Sequence, residues 1–158
     1  MDAGPQKEHR WLDRLVGDWT FEGECAAMGP GQPPMKYVGV ETVRSLGGLW
    51  TVGEGENEMP EGGVGKSVMT LGYDPASRCY VGTFIASMMT HLWIYNGSLE
   101  GDVLELDAEG PGFTGEGARK YRDSIEFTDD DHRTLKSHAL GDDGAWQLFM
   151  TARYTRKK

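Results

Sequence analysis

The spacing of hydrophobic residues changes once along the chain, close to residue 17. Before this point, residues at spacings of three and four form one apolar stripe, which comprises His9, Leu12, Leu15 and Val16. This spacing predicts an amphipathic helix over about residues 6–16, which Gly17 ends. From Asp18 onward the spacing is two, because Trp19 and Phe21 alternate with polar residues, and this period is typical of a half-buried strand.

The period of two continues to the end of the chain. Turn-forming sequences interrupt it, such as DPAS at residues 74–77 and GDDG at residues 141–144. About ten segments between such turns have strand-like patterns, and they begin at residues 18, 35, 49, 66, 78, 91, 103, 120, 133 and 145. Strands that follow one another through short turns favour an antiparallel meander over alternating βα units.

An open sheet of about ten strands would have long unpaired edges, which invite aggregation, and closure into a barrel removes them. Glycines inside the segments, including Gly39, Gly53 and Gly82, favour closure because barrels bend at kinks and bulges. We therefore predict an all-β fold: an up-and-down antiparallel barrel of about ten strands over residues 18–155, preceded by one helix. The chain of residues 1–158 would form a single domain. A two-sheet sandwich is the structural alternative.

A barrel of this width is expected to contain a cavity. About eight strands leave an interior that side chains nearly fill, so about ten strands leave space for a ligand. A fully packed core is the alternative. The residues expected to line the interior are Trp19, Phe21, Phe84, Tyr121, Phe127, Trp146, Leu148 and Met150.

The segment SMMTHLWIYNG, residues 87–97, is apolar on both faces if it is a strand. Its two faces are Met89, His91, Trp93 and Tyr95 on one side, and Met88, Thr90, Leu92 and Ile94 on the other. One face would line the interior, either that of Trp93 or that of Ile94. The other would be covered by the helix or by a second subunit, because monomers rarely expose such a patch. A homodimer is therefore one expectation.

The charge and composition of the chain limit the classes of partner that it is expected to bind. The net charge is −9, so binding to nucleic acid, whose phosphates require basic patches, is not expected. No apolar run reaches the ~18–20 residues that span a bilayer, and the N-terminus lacks the features of a secretion signal. We expect a cytoplasmic protein that does not insert into a membrane.

Cys25 and Cys79 have no metal-ligand spacing, so two free thiols are expected, and a disulfide is the alternative.

Two carboxyl groups fall on strand faces that are expected to point inward. Asp123 shares its face with two aromatic residues in KYRDSIEF, residues 120–127, and Glu41 alternates with apolar residues in its own strand. A buried carboxyl group must be paired, or its pKa must be raised. Each acid is therefore a ligand anchor, a general acid or base, or one half of an internal salt bridge to Arg44 or Arg119.

The four histidines do not predict a metal site. His132 and His138 share a strand face, but six residues separate them, which is ~20 Å on a straight strand. His9 is expected to make a structural contact beside the helix stripe. His91 lies among apolar residues and is the best candidate for a ligand contact, with a hydrogen-bonded core histidine as the alternative. We assign no metal ligands and no catalytic residues.

Several long motifs resemble one bacterial family. HRWLDRLVGDW combines a histidine, two leucines at helical spacing and a Val-Gly-acid-Trp run, and MTLGYDP, SMMTHLWIYNG, YRDSIEF, DDHR and FMTARY accompany it. Together they resemble domain of unknown function 1579 over nearly the whole chain. The resemblance implies a lipocalin-like (calycin-type) barrel and no assigned activity. Residues 17–19 are also similar to the Gly-x-Trp opening of lipocalin and fatty-acid-binding barrels, which implies that Trp19 seals the closed end.

A second resemblance concerns haem. The Leu-x-Gly-x-Trp stretch that ends at Trp19 is similar to the opening of the haem-binding barrels called nitrobindins, whose haem ligand is a histidine near the C-terminal strand. The last strand here, AWQLFMTARY, has no histidine. No cofactor is therefore expected, and haem with His91 as its axial ligand is the alternative.

These observations predict a barrel that binds one apolar or amphipathic small molecule. The expected ligand-binding residues are His91, Trp93, Tyr95, Tyr121, Asp123, Phe127, Trp146 and Met150. Three alternatives stay open. They are an enzyme of the isomerase or cyclase type that uses Asp123 or Glu41, a haem-binding barrel, and a structural dimer module with residues 88–95 at its interface.

Overall fold

The computed structural model describes residues 4–26, 33–59, 61–113 and 117–158. Within these ranges the chain forms one helix and ten strands: α1 (Lys7–Asp13), β1 (Gly17–Cys25), β2 (Met35–Leu46), β3 (Trp50–Glu58), β4 (Val64–Asp74), β5 (Cys79–Ala86), β6 (Trp93–Glu100), β7 (Val103–Pro111), β8 (Ala118–Asp129), β9 (His132–Leu140) and β10 (Trp146–Arg156). No helix in the described part of the chain is long and apolar enough to cross a membrane.

The ten strands close into an antiparallel barrel. Each strand pairs with its neighbours in sequence, and β1 pairs with both β2 and β10, so that Trp19 lies between Glu41 and Arg156. Every strand therefore has a hydrogen-bonded partner on both sides. The predicted up-and-down barrel with one N-terminal helix is confirmed, and the sandwich alternative is wrong.

Side chains alternate between the interior and the solvent, as the period of two predicts. In β1, Trp19 and Phe21 are buried whereas Thr20 and Glu22 are exposed. Gly82 shows how tightly the strands curve, because a Cβ atom there would lie 2.1 Å from the carbonyl oxygen of Thr70. The glycine is needed at this position for the backbones to approach each other.

Helix α1 covers one end of the barrel, which we call the closed end. Leu12 and Leu15 are almost completely buried, and the helix contacts β3 and β4. Trp19 is completely buried there, and its indole N–H donates a 2.8 Å hydrogen bond to the carbonyl of Leu15. His9 makes the expected structural contact, since its Nε2 lies 3.0 Å from the carbonyl oxygen of Tyr73. The helix is shorter than predicted, because residues 14 and 15 form a turn that leads into β1.

Polar contacts attach the helix to both halves of the barrel. The indole N–H of Trp11 donates to Asp102 at 2.7 Å, and the guanidinium of Arg14 lies 2.9 Å from the same carboxylate. On the other side, Arg156 donates to the carbonyls of Val16 and Arg14 at 2.7 and 2.8 Å. The helix is therefore attached at the β6–β7 turn and at the end of β10.

Residues 87–92 are not part of a strand. The chain turns after Ala86, where the amide of Met89 donates to the carbonyl of Ala86, and β6 begins only at Trp93. Trp93 then points inward. Ile94 points outward and is 60% exposed. The helix lies at the closed end and does not cover this outer face, so the expectation that it would do so is wrong.

A β-bulge in β10 reverses the orientation of its first residues. Leu148 lies opposite His138 whereas Met150 lies opposite Ser137, so one extra residue stands between them. Met150 therefore points into the barrel, and Leu148 points outward and is 50% exposed.

The expectation that Trp146 and Leu148 line the interior is wrong for this reason. Trp146 precedes the bulge and shares the outward face of Leu148, and its ring lies 4.6 Å from the guanidinium carbon of Arg122. An alternating sequence cannot reveal a bulge, because the extra residue changes the register without changing the pattern.

We predict that the packing of α1 contributes strongly to stability. Leu12 is 1% exposed, so Leu12→Ala removes buried methyl groups and should lower the free energy of unfolding by about 2–5 kcal/mol. The neighbouring exposed residue supplies the control, since Asp13→Ala should change it by no more than about 0.5 kcal/mol. Urea denaturation measures both, and equal effects would show that the helix does not pack on the barrel.

Candidate functional site

The barrel contains a cavity of about 390 Å³. Its lining comes from strands β1–β5 and β8–β10, from Leu15 and from the connections after β3 and β5, and none of the described residues of β6 or β7 takes part. The cavity is therefore displaced toward one side of the interior. The predicted cavity is confirmed, and the fully packed core is wrong.

Methionines form much of the cavity wall. All six methionines within the described residues line it: Met35, Met59, Met69, Met88, Met89 and Met150. Methionine is unbranched and polarizable, so its side chain adapts to apolar surfaces of different shape. This wall can therefore adjust to the shape of an apolar molecule.

Glycines on β3 help to leave the cavity empty. Gly53 and Gly55 occupy inward positions where other strands present side chains. A Cβ atom at Gly53 would lie 3.0 Å from Oε2 of Glu41, and one at Gly55 would lie 2.7 Å from Oγ of Ser67. Side chains at these two positions would thus fill space that now belongs to the cavity.

A buried ion pair lies in the cavity wall toward the closed end. Nη2 of Arg133 donates to Oε1 of Glu41 at 2.5 Å, and these side chains are only 4% and 13% exposed. The guanidinium also packs against the rings of Trp19 and Tyr154, at 4.6 and 3.9 Å. The expectation that Glu41 pairs with Arg44 is wrong, because Arg44 lies on the outward face of β2 and its guanidinium is 3.9 Å from Glu54.

This pair carries one hydrogen-bond donor without a partner. The Nε–H of Arg133 is buried and has no partner among the described residues. A buried charge is tolerated when an opposite charge compensates it, and loss of one partner leaves the other unpaired at high cost. Glu41 and Arg133 therefore form one polar unit in a wall that is otherwise mostly apolar.

Two tyrosines add hydroxyl groups to the cavity wall. Burial raises the pKa of Tyr37 to about 12. Burial, and secondly the negative charge of Glu41, raises the pKa of Tyr154 well above its usual range. Both hydroxyl groups therefore stay protonated at neutral pH.

The other side of the interior is filled by a second polar cluster. The hydroxyl of Tyr95 donates to Oδ2 of Asp123 at 2.6 Å, and the Ser137 hydroxyl also donates to this carboxyl group. Burial raises the pKa of Asp123 even though both donors act to lower it. Asp123 points inward, as predicted, but Arg119 is not its partner, because the guanidinium of Arg119 lies 3.9 Å from Asp142.

Most of the predicted ligand-binding residues do not line the cavity. Of the eight, only Met150 is part of its wall. Trp93, Tyr95, Tyr121 and Asp123 point inward but fill the opposite side, where the rings of Trp93 and Tyr121 lie 5.0 Å apart. Phe127 lies at the closed end, 5.6 Å from the ring of Trp11.

His91 and Trp146 line a groove on the outer surface. Nε2 of His91 lies 3.0 Å from the carbonyl oxygen of Glu109, and both residues border an outer concavity of about 730 Å³. None of the four histidines lines the interior cavity. The cavity therefore has no imidazole in its lining, and His91, the candidate axial ligand for haem, lies outside it.

A larger concavity, of about 810 Å³, also lies on the outer surface. Residues of β1–β4 and β8–β10 line it, and outward residues such as Thr20, Val38 and Val40 form much of it. The interior cavity is smaller but has a buried ion pair in a mostly apolar wall, so it is the candidate site.

Sequence reasoning missed the most polar residue of the site. Arg133 shares the inward face of β9 with Leu135, Ser137 and Ala139, as the alternation in HRTLKSHAL shows. An arginine on the apolar face of a predicted strand was the available signal. The inward orientation of Tyr154 could have been recognised in the same way, since Tyr154 shares its strand face with Ala152 in β10.

We predict that the buried carboxyl group of Asp123 lowers the free energy of unfolding as the pH rises. Burial raises its pKa in the folded protein, so the unfolded chain releases this proton first as the pH rises above ~3.9. The wild type should therefore lose stability relative to Asp123→Asn as the pH rises through this range. The size should be about 1.4 kcal/mol per unit of pKa shift.

Urea denaturation of both proteins at several pH values measures this difference. The loss should level off above the raised pKa, where Asp123 is ionised in both states. Parallel stability curves for the two proteins would contradict the prediction.

Comparison with known proteins adds a family and a fold. Rv2717c from M. tuberculosis has a similar crystal structure, with a TM-score of 0.63 and 17% identity over 98% of this chain and 100% of that one. The S-type phycobiliprotein lyase CPES from Guillardia theta is also similar, with a TM-score of 0.61 and 13% identity over 97% of this chain and 94% of that one. At these identities the likeness shows the barrel fold alone.

Sequence comparison identifies a family, whereas the structural likeness shows only the fold. No curated protein matches the sequence. The profile of one family, described as "Protein of unknown function (DUF1579)", matches residues 4–156, and the chain therefore belongs to the DUF1579 family.

Proposed function

We propose that this protein binds one small apolar or amphipathic molecule inside its barrel. The observation that carries the proposal is the cavity of about 390 Å³ with an apolar, methionine-rich wall and one buried ion pair. Sites for small molecules have volumes of roughly 300–1,000 Å³, with mostly apolar linings and a few polar groups that set the orientation.

Burial of apolar surface would supply most of the affinity. Phe21, Phe84 and Leu71 face the cavity together with the six methionines. Each Å² of apolar surface removed from water contributes about 25 cal/mol, before the cost of immobilising the ligand is subtracted. Flexible methionines allow molecules of related shape to bind, so the wall favours a class of ligands over a single compound.

The polar groups would orient an amphipathic ligand. Glu41 and Arg133 lie toward the closed end, and Thr51 and Ser67 add hydroxyl groups to the same wall. A ligand with a hydroxyl or carbonyl group would place it near this pair and direct its apolar part toward the methionines. The apolar part would then lie toward the end of the barrel that is opposite to α1.

The catalytic alternative has less support. Asp123 has a raised pKa, as a general acid requires, but it is enclosed by Tyr95 and Ser137 and does not line the cavity. Glu41 does line the cavity, but its carboxylate is paired with Arg133. A general acid or base must reach the proton that it transfers, and neither carboxyl group is free to do so in this arrangement.

We predict that a side chain which fills the cavity prevents binding. Ala86 lines the cavity at the end of β5, so Ala86→Phe should weaken the binding of the neutral fluorescent probe N-phenyl-1-naphthylamine by at least about tenfold, since its ring would occupy the space of the ligand. Fluorescence titration measures the dissociation constant.

The adjacent residue provides a matched control. Ile85 points outward and is 49% exposed, so Ile85→Phe adds the same ring on the solvent side and should leave probe affinity unchanged. Equal affinities of the wild type and Ala86→Phe would place the probe elsewhere, and an absence of probe binding by the wild type would contradict the proposed function.

We also predict that the ion pair recognises polar ligands. The double variant Glu41→Gln/Arg133→Met removes both charges and avoids leaving one of them unpaired. It should weaken the binding of 1-octanol about fivefold, which corresponds to one hydrogen bond of about 1 kcal/mol, and it should leave the binding of n-octane unchanged.

Displacement of the fluorescent probe measures both affinities. Equal changes for the alcohol and the alkane would show that the variant altered only the packing of the cavity, which would contradict an orienting role of the pair.

A further inference from the structure

Three sulfur-containing side chains occupy neighbouring positions at the end of the barrel opposite to α1. Cys25 is the last residue of β1, and it lies directly opposite Met35 of β2 and Met150 of β10. All three side chains line the cavity, and the Cys25 thiol is free. One thiol therefore stands between two thioethers on three adjacent strands.

The strand geometry allows these three sulfur atoms to approach one point. Directly opposed residues on neighbouring strands have Cβ atoms about 4.5–5.5 Å apart. Cys25 is central and its side chain is short, whereas Met35 and Met150 have three rotatable bonds each and can direct their sulfur atoms toward it. The inward curvature of the barrel brings their side chains closer still.

The chemistry of this group selects a soft cation. Thiolate and thioether ligands favour Cu(I), whereas imidazole, carboxylate and carbonyl ligands suit harder ions. Among the described residues, no three His, Cys, Asp or Glu side chains are grouped so that they could hold a metal ion. A site for zinc, calcium or magnesium is therefore not formed by these residues, and Met35 and Met150 place a thioether on each side of Cys25.

We propose that Cys25, Met35 and Met150 form a site for one Cu(I) ion, with a thiolate and two thioethers as its ligands. The bond between Cu(I) and the Cys25 sulfur forms as the thiol releases its proton to solvent, and copper stays in the same oxidation state. The complex is neutral, because one positive charge meets one thiolate. A neutral complex suits an apolar wall, where an isolated charge would be costly.

Neighbouring methionines support the same chemistry. Met59 and Met88 approach each other above Gly65. A Cβ atom added at Gly65 would lie 2.8 Å from the sulfur of Met59 and 2.8 Å from the terminal methyl of Met88. Both line the cavity at the same end as Cys25. They provide further weak sulfur donors along the route by which an ion would enter.

The test is an anaerobic titration of the purified protein with Cu(I), in competition with the chromophoric chelator bicinchoninate. We expect one tightly bound ion per chain. We also expect an X-ray absorption spectrum at the copper edge that shows sulfur ligands only. Cys25→Ser should weaken the affinity by about a hundredfold or more, and Met35→Leu and Met150→Leu by about tenfold each, because serine and leucine lack the sulfur donor.

A matched variant serves as the control. Cys79→Ser changes the other cysteine, whose sulfur lies 3.3 Å from the amide oxygen of Asn96 near the closed end. It should bind Cu(I) as the wild type does. A loss of affinity in Cys79→Ser equal to that in Cys25→Ser, or binding that does not depend on Cys25, would overturn the proposal.

A parallel titration with N-phenyl-1-naphthylamine separates this proposal from the proposed function. Cys25→Ser should still bind the probe, which also shows that the variant is folded. Binding of the probe by the wild type without any binding of Cu(I) would overturn the metal site alone. Binding of Cu(I) without binding of the probe would overturn the apolar-ligand proposal alone.

Discussion

Pairing of β1 with both β2 and β10 is the constraint on which the rest of the structure depends. It closes the sheet, so that ten strands share their hydrogen bonds without an edge. The number of strands sets the width of the barrel, and this width exceeds what side chains alone can fill. The helix, with Leu12 and Leu15, then seals one end. The cavity is thus a consequence of closure and strand number.

The distribution of side chains decides which part of the interior stays empty. Aromatic residues and the Asp123 cluster fill the side of β6–β8, whereas Gly53 and Gly55 leave space beside β3. Methionines surround that space, and the ion pair of Glu41 and Arg133 gives it one polar region. The two sides of the barrel therefore differ in role. One is a packed structural core, and the other contains the cavity that forms the candidate site.

The fold was largely predictable from the sequence, and the site was predictable only in part. The period of two reveals strands and which residues share a face, and this was enough to predict the barrel, the helix and the inward orientation of Asp123. It does not reveal which sector of a closed barrel remains empty, because that depends on contacts across the interior. Nor does it reveal the bulge before Met150, which turned Trp146 outward. Arg133 was visible on an apolar face but was not recognised as a partner for Glu41.

A ligand can bind beside β3 only if the space there is empty, apolar and accessible. Xenon binds in empty apolar cavities, so a crystal structure under xenon pressure tests this claim most directly. We expect xenon between Met69, Phe84 and Met150, all of which line the cavity. Xenon on the outer surface only, or side chains that occupy this space, would contradict it.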